Sequence, residues 1–261
     1  MPDKKLSIYY SVFAFIVIAA FLGVVFHSFY TFDHDWDFSV LSPYIWMSSS
    51  EGLGEPGLML QGLWMTVKLS VESIFFGTIL GVIFGSFLLS SEKVSKLFAM
   101  IYVDVFRNTP ALVQLLIGYY IIGHAFGLSE IVTAVLIMSL FCSSYVAEIF
   151  RGTIANFDKG QIEAAKALGM NIFQISYRVV APQAIRRMLP PLVGQFVSLI
   201  KDSSLLSVIA IPELTKEAQN AITVSFRNFE IYLFLALLYL ILNTILSTFG
   251  RYIEKKLSQS L

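Results

Sequence analysis

Of the 261 residues, 56% are hydrophobic and only 14% are charged, and the mean hydropathy is +0.73; soluble domains carry about 25% charge, so a water-soluble protein is excluded and an integral membrane protein is expected. Lys and Arg balance Asp and Glu at 18 each, which leaves orientation to be read from where the charges fall. The single cysteine, Cys142, excludes an internal disulfide, and no nucleic-acid partner is expected.

Six apolar runs are long enough to cross a hydrocarbon core, which takes about 20 helical residues. They lie near residues 8 to 29, 58 to 89, 98 to 122, 130 to 150, 189 to 211 and 230 to 250. The first follows Lys4 and Lys5, as the core of a secretory signal would. Its apolar stretch exceeds the usual length of about 7–15 residues, and His-Ser-Phe-Tyr-Thr-Phe offers no small-x-small cleavage site, so a retained helix is expected. The loop from Tyr30 to Gly57 carries Asp33, Asp35, Asp37, Glu51 and Glu55 and no basic residue, which places it outside, with Trp36, Tyr44 and Trp46 suited to the headgroup level.

With the amino terminus inside, thirteen of the 18 Lys and Arg fall on inner segments and only Lys216 and Arg227 on outer loops; Lys68, Arg107 and Lys201 lie within or at the edges of spans. That asymmetry is the positive-inside pattern and puts both termini in the cytoplasm. Charges inside spans cost roughly 2.5–3.5 kcal/mol each at a helix centre, so they must face protein or water. Lys68 and Glu72 are four apart and share a helical face, either as a structural ion pair or as a substrate contact. Arg107, just before Asn108-Thr109-Pro110, is expected at the inner end of the third span in a structural or gating role, and Gln114 is a pore-lining candidate. Glu148 and Arg151, three apart, form a helix-end ion pair. The histidines His27, His34 and His124 have no metal-binding spacing.

Between the fourth and fifth runs lies the long Lys/Arg-rich stretch Arg151 to Pro191. Asp158 with Gln161 has capping-box form and opens a helix whose stripe is Ile162, Ala165 and Leu168. Gly169 suits the left-handed residue that closes it. Asn171 with Gln174 opens a second helix with Ile172, Ile175 and Val179 on one face, which must stop before Pro182. The competing picture is an amphipathic helix on the lipid surface, favoured by Lys159, Lys166, Arg186 and Arg187. Further on, Lys201 and Asp202 point about 100° apart in a regular helix and cannot pair, so each needs another partner or the helix breaks there. Ser203 and Ser204 can satisfy freed backbone groups at such a break, which makes Lys201, Asp202, Ser203 and Ser204 a candidate translocation site.

Glu163, Ala164 and Ala165, then Gly169 and Val179-Val180-Ala181-Pro182, resemble the EAA signature of permease subunits of bacterial ABC importers. Val179 stands for Ile and Ala181 for Leu in that pattern. Tyr102 to Leu115 (YVDVFRNTPALVQL), Tyr145 to Gly152 (YVAEIFRG) and Lys201 to Leu205 (KDSSL) are similar to the polar amino-acid uptake branch. The resemblance implies an all-α membrane protein with a five-helix type I permease core over residues 58–256, a cytoplasmic coupling loop at 151–188, and an additional N-terminal helix with its acidic loop over 1–57, six transmembrane helices in all. It implies a second permease subunit, identical or paralogous; ABC ATPase subunits that carry ATP and Mg; and an extracytoplasmic amino-acid-binding protein, all in the lipid of a bacterial inner membrane. Asp158, Gln161, Glu163, Ala164, Ala165 and Gly169 would contact the ATPase, and the substrate would be a polar or charged amino acid such as glutamate, glutamine, aspartate or arginine. No GxxxxGK[ST] phosphate loop is present, so ATP hydrolysis is expected on the partner and no cofactor on this chain. An ion-coupled secondary transporter is the alternative; it has no use for the coupling loop, and no inverted repeat is evident.

Overall fold

The computed structural model describes residues 4–31, 34–47 and 54–258. Asp33 and Glu51 of the acidic loop, and the side chains of Lys4 and Lys5, lie outside the described residues. The chain forms two compact units, Met1–Phe38 and Ser39–Leu261. The first is built on helix α1, Lys4–Thr31, whose apolar stretch Tyr9–Ser28 has no buried residue.

The second unit contains helices α2 (Leu58–Leu88), α3 (Lys93–Asn108), α4 (Ala111–Phe126), α5 (Glu130–Ala155), α6 (Lys159–Ala167), α7 (Ala181–Asp202), α8 (Leu214–Ser225) and α9 (Asn228–Ser258). A two-residue antiparallel ladder, Trp46–Met47 with Glu55–Pro56, precedes α2. Among the described residues, five helices are long and apolar enough to cross a membrane, and α3 with α4 makes a sixth candidate if the bent pair is one span.

That pair replaces the continuous helix expected over 98 to 122. The two helices are bent by 109° at Thr109-Pro110. Pro110 lacks the N–H that would continue the ladder, and its ring drives Thr109 into extended backbone (φ −108°, ψ 144°), so the helix ends at Asn108, two residues before the proline. A second expectation fails at the other proline step. The helix opened by Asn171 does not stop before Pro182: the short helix Ile172–Ile175 widens to a π-turn over Ser176–Val180 and then runs directly into α7. Widening the turn shifts the carbonyl that the Pro182 ring would strike in a regular helix, and the chain crosses the proline without a break. Pro190 and Pro191 sit inside α7 as well.

The largest packed surface is between α2 and α5. A Cβ built on Gly77 would lie 2.8 Å from Cys142 Cβ, on Gly81 2.5 Å from Val146 Cβ, and on Gly85 2.8 Å from Phe150 Cδ1. The partner number rises in step with the glycine number, so α2 and α5 run parallel. Three glycines at four-residue spacing let the two backbones approach closely, which is how helices associate where water supplies no driving force. Around this seam Leu69, Leu115, Ile137, Phe141, Leu199 and Leu206 form the main core. Met59, Leu214, Ala218, Ile231 and Leu235 form a second core where α2, α8 and α9 meet.

Candidate functional site

The loop after α5 is held by three local devices. Asp158 Oδ1 accepts from Gly160 N at 2.8 Å and starts α6. Gln161 does not complete the capping box expected with Asp158; its Oε1 accepts from Gln183 Nε2 at 2.7 Å, tying α6 to the first turn of α7. Gly169, at φ +76°, closes α6: its N–H donates to Lys166 O at 2.9 Å and Met170 N–H to Ala165 O at 3.2 Å, the paired bonds of a Schellman turn. Asn171 and Gln174 then cap each other's backbone N–H reciprocally, both at 2.9 Å. The bend between α6 and the next helix is therefore fixed over a few residues by hydrogen bonds and one left-handed glycine.

Ala165 and Ile175 face inward, whereas Glu163, Ala164, Leu168 and Ile172 face out, so the two expected apolar stripes divide between an inner and an outer surface. On the outer surface Phe173 and Tyr177, 78% and 71% exposed, stack with ring centroids 6.5 Å apart and planes 6° apart. Leu168, Ile172, Phe173 and Tyr177 make one apolar patch on a rigid, polar loop. The aromatic pair was recognisable in the sequence only as an i, i+4 spacing outside the predicted stripe.

At the other end of α7 the helix stops at Asp202, and a tighter 3₁₀ segment runs from Ser203 to Ile209. Ser203 Oγ donates to Ile200 O, Ser204 Oγ to Lys201 O and Ser207 Oγ to Ser204 O, each at 2.7 Å. Hydroxyls thus take up carbonyls at the transition. Lys201 is exposed and Asp202 half-buried, and neither takes part in an ion pair among the described residues. Lys68 is exposed and Glu72 half-buried on α2; the ion pair that their spacing allows does not form.

The break between α3 and α4 packs beside this segment, since Leu115 of α4 shares the main core with Leu199 and Leu206. Gln114 serves the break. Its Nε2 donates to Phe106 O at 2.7 Å, Thr109 O at 2.9 Å and Thr109 Oγ1 at 2.7 Å, closing the end of α3, while its Oε1 is buried without a hydrogen-bond partner. Nearby, Arg151 Nε donates to Glu148 Oε2 at 2.9 Å, as expected of the i, i+3 pair. Arg107 joins them: its Nη1 lies 3.9 Å from Glu148 Oε2 and its guanidinium 5.5 Å from the Tyr145 ring centroid, anchoring the end of α3 to α5. A cavity of about 370 Å³ opens at this triad, lined also by Lys96 and Asp104.

Exposed faces separate the helices further. α2 presents Val71, Phe75, Ile79 and Ile83, and α9 presents Leu233, Leu237, Leu240 and Ile245. From Arg186 to Asp202, α7 exposes only Arg187, Pro190, Pro191, Gly194 and Lys201.

Residues 77–259 match the family described as the binding-protein-dependent transport system inner membrane component. This chain belongs to that family. It is accordingly a permease subunit of an ABC importer. The glutamine transport system permease protein GlnP of Escherichia coli (strain K12) is 34% identical over 203 residues, covering 77% of this permease and 93% of that protein. The putative GlnP of Rickettsia conorii is 35% identical, covering 76% and 92%. Among solved structures, an amino acid ABC transporter crystallised with histidines is 36% identical with a TM-score of 0.71, covering 76% of this permease and 94% of that chain. The inward-facing MetNI methionine ABC transporter, 19% identical, shares the fold at a TM-score of 0.68 over 77% of this permease and 96% of that chain.

One structural centre of the permease was not anticipated. Glu213, fully buried, caps α8 by accepting from Thr215 N at 2.9 Å and Lys216 N at 2.8 Å, and it also accepts from Tyr239 Oη of α9 at 3.1 Å. Thr66 Oγ1 of α2 lies 3.5 Å away and accepts from Leu214 N at 3.0 Å. Burial pushes the Glu213 carboxyl above its ordinary pKa, against the lowering effect of these donors. One carboxylate thereby joins α2, α8 and α9.

Proposed function

We propose that this permease forms the translocation pathway of an ATP-driven importer of a polar or charged amino acid, working by alternating access and driven through the loop from Arg151 to Met188 by a separate ATPase that carries ATP and Mg. The observation that carries this reading is the apolar patch of Leu168, Ile172, Phe173 and Tyr177 on a loop made rigid by Gly169 and the Asn171–Gln174 box. A soluble-facing loop gains nothing from four exposed apolar side chains unless a partner covers them, and a helix turn set in a groove of another protein is a common way to do so. Gln161–Gln183 links the patch to α7, so displacement of the loop is passed to the helix that ends at Lys201 and Asp202.

Six crossings with both termini in the cytoplasm belong to this reading, and the parallel α2 and α5 support its middle part. If both span the membrane, the chain between them must cross an odd number of times, and the bent pair α3–α4 supplies one crossing. Residues 58–256 make the core and 1–57 an addition to it. Lys201, Asp202, Ser203 and Ser204 form the substrate-facing end of α7, with Gln114 beside them. The names of the relatives favour glutamine or a similar amino acid. An extracytoplasmic binding protein would deliver it.

Reconstitution in proteoliposomes with an ABC ATPase and a loaded binding protein tests the reading. ATP-dependent amino-acid uptake is expected; uptake driven by an ion gradient without the ATPase would refute it.

A further inference from the structure

Helix α3 carries a charged edge that the described chain leaves unneutralised. Ser95, Ala99, Tyr102, Val103 and Phe106 are buried or half-buried, and Val94, Leu97, Phe98, Ile101 and Val105 on the far side are exposed and apolar, as suits acyl chains. At about 100° per residue, Lys96, Met100, Asp104 and Arg107 fall along the edge between those two faces. That edge lines the cavity of about 370 Å³, together with Glu148 and Arg151 of α5. Three cations face two carboxylates there, so one positive charge is left over. Glu148 is shared: Arg151 Nε donates to it at 2.9 Å, whereas Arg107 Nη1 stands 3.9 Å away, beyond hydrogen-bond reach. Among the described residues, the Arg107 guanidinium donates no hydrogen bond, and the Lys96 ammonium and the Asp104 carboxylate have no partner.

A guanidinium fork without an acceptor, with an ammonium beside it, is matched to a phosphate oxyanion. The cavity borders the apolar face of α3, and Glu148 and Arg151 lie within about two turns of the end of α5 at Ala155, where the loop to α6 begins. Basic pockets between helices at that depth take lipid headgroups. We propose that this cavity is the headgroup site of an anionic phospholipid. Lys96 and Arg107 hold its phosphate, Asp104 accepts from its headgroup hydroxyls, and its acyl chains lie along Leu97, Phe98 and Ile101. A monoanion neutralises the one surplus charge and a zwitterion does not, so the site selects phosphatidylglycerol over phosphatidylcholine. The inference rests on the importer reading only in assigning the lipid to the inner leaflet, the side from which the loop projects.

The test titrates the purified full chain in mild detergent with phosphatidylglycerol, phosphatidylmethanol or phosphatidylcholine and counts bound lipid by native mass spectrometry. Phosphatidylglycerol is expected to bind at least about fivefold more tightly than phosphatidylcholine, and Lys96→Gln should remove about that factor, the scale of one basic residue at an anionic headgroup. Lys93→Gln, one turn away on α3 but outside the cavity, should change little. Phosphatidylmethanol carries the same charge without the glycerol hydroxyls, so the wild-type chain should prefer phosphatidylglycerol to it and Asp104→Asn should erase that preference. Inorganic phosphate at the same concentration should not displace the lipid. Three results would overturn the proposal: equal binding of phosphatidylglycerol and phosphatidylcholine; a loss in Lys93→Gln as large as in Lys96→Gln, which makes the attraction diffuse surface charge; or displacement by inorganic phosphate, which makes the ligand a soluble anion. The measurement needs no ATPase, binding protein or uptake. Failure here therefore leaves the importer reading standing, and failed uptake with Lys96-dependent lipid binding intact would count against the importer reading alone.

Discussion

Gly81 and Val146 meet so closely that a methyl group on Gly81 would lie 2.5 Å from Val146 Cβ, at the middle of the parallel α2–α5 seam. Overpacking a site with no slack costs about 1–3 kcal/mol. Gly81→Ala should therefore lower the thermal midpoint of the detergent-solubilised permease, and adding Val146→Ala should recover part of the loss because the space is shared. Unchanged unfolding in Gly81→Ala would mean that the two helices are not in contact.

Gly169 separates backbone from packing effects. It holds φ +76°, and a Cβ there would touch nothing within 4 Å. The only penalty for a side chain is the left-handed conformation itself, about 1–2 kcal/mol for most residues and less for Asn. Gly169→Val should leave the permease inserted but remove ATPase stimulation by loaded binding protein, while Gly169→Asn retains most of it. Equal stimulation in wild type and Gly169→Val would show that the bend has no part in coupling.

What could be read in the sequence was what acts over three or four residues. Asn171 with Gln174, Gly169 and the Glu148–Arg151 pair all did what their spacing predicted. Averaging hydropathy over 98 to 122 concealed the break, although Pro110 was the visible sign of it. Pro182 misled in the opposite sense, because a widened turn can carry a helix across a proline and nothing in the local sequence distinguishes that from a stop. The Gly77, Gly81, Gly85 spacing was visible, yet neither its partner helix nor the parallel direction was. Gln114 stood out in the sequence only as a pore-lining candidate, and nothing local showed that its Nε2 also closes the end of α3. Glu213 sits in no recognisable window because Thr66 and Tyr239, which bury it, lie far away in the chain.

Phe173 and Tyr177 carry most of the exposed aromatic area of the loop. Buried aromatic anchors at an interface typically cost about 2 kcal/mol or more on truncation. Phe173→Ala should weaken binding of the ATPase subunit at least about tenfold, measured as retained ATPase after affinity purification of the permease. Both residues are exposed in the isolated chain, so its stability should change little. A Phe173→Ala permease that retains the ATPase fully, with uptake intact, would place the docking surface elsewhere.

Glu213 makes the fold pH-sensitive in a definite direction. Burial raises its folded pKa above the unfolded value of about 4.3. Between those two values the folded state binds the extra proton, so stability falls as pH rises. The stabilisation is complete below the unfolded pKa and is lost as pH climbs through the folded one. In the wild-type permease the thermal midpoint should thus decline over that window from the acid side, on top of whatever other groups contribute. Glu213→Gln carries no titrating proton and should flatten the decline; it also sacrifices acceptor capacity at Oε2, where Thr215 N and Tyr239 Oη now converge. Tyr239→Phe removes one donor that favours the charged form, so the Glu213 pKa should rise further and the decline should extend to higher pH. If Glu213→Gln kept the wild-type pH profile, the carboxyl would have to be titrating as it does in the unfolded chain, and its burial between α2, α8 and α9 would carry no electrostatic consequence.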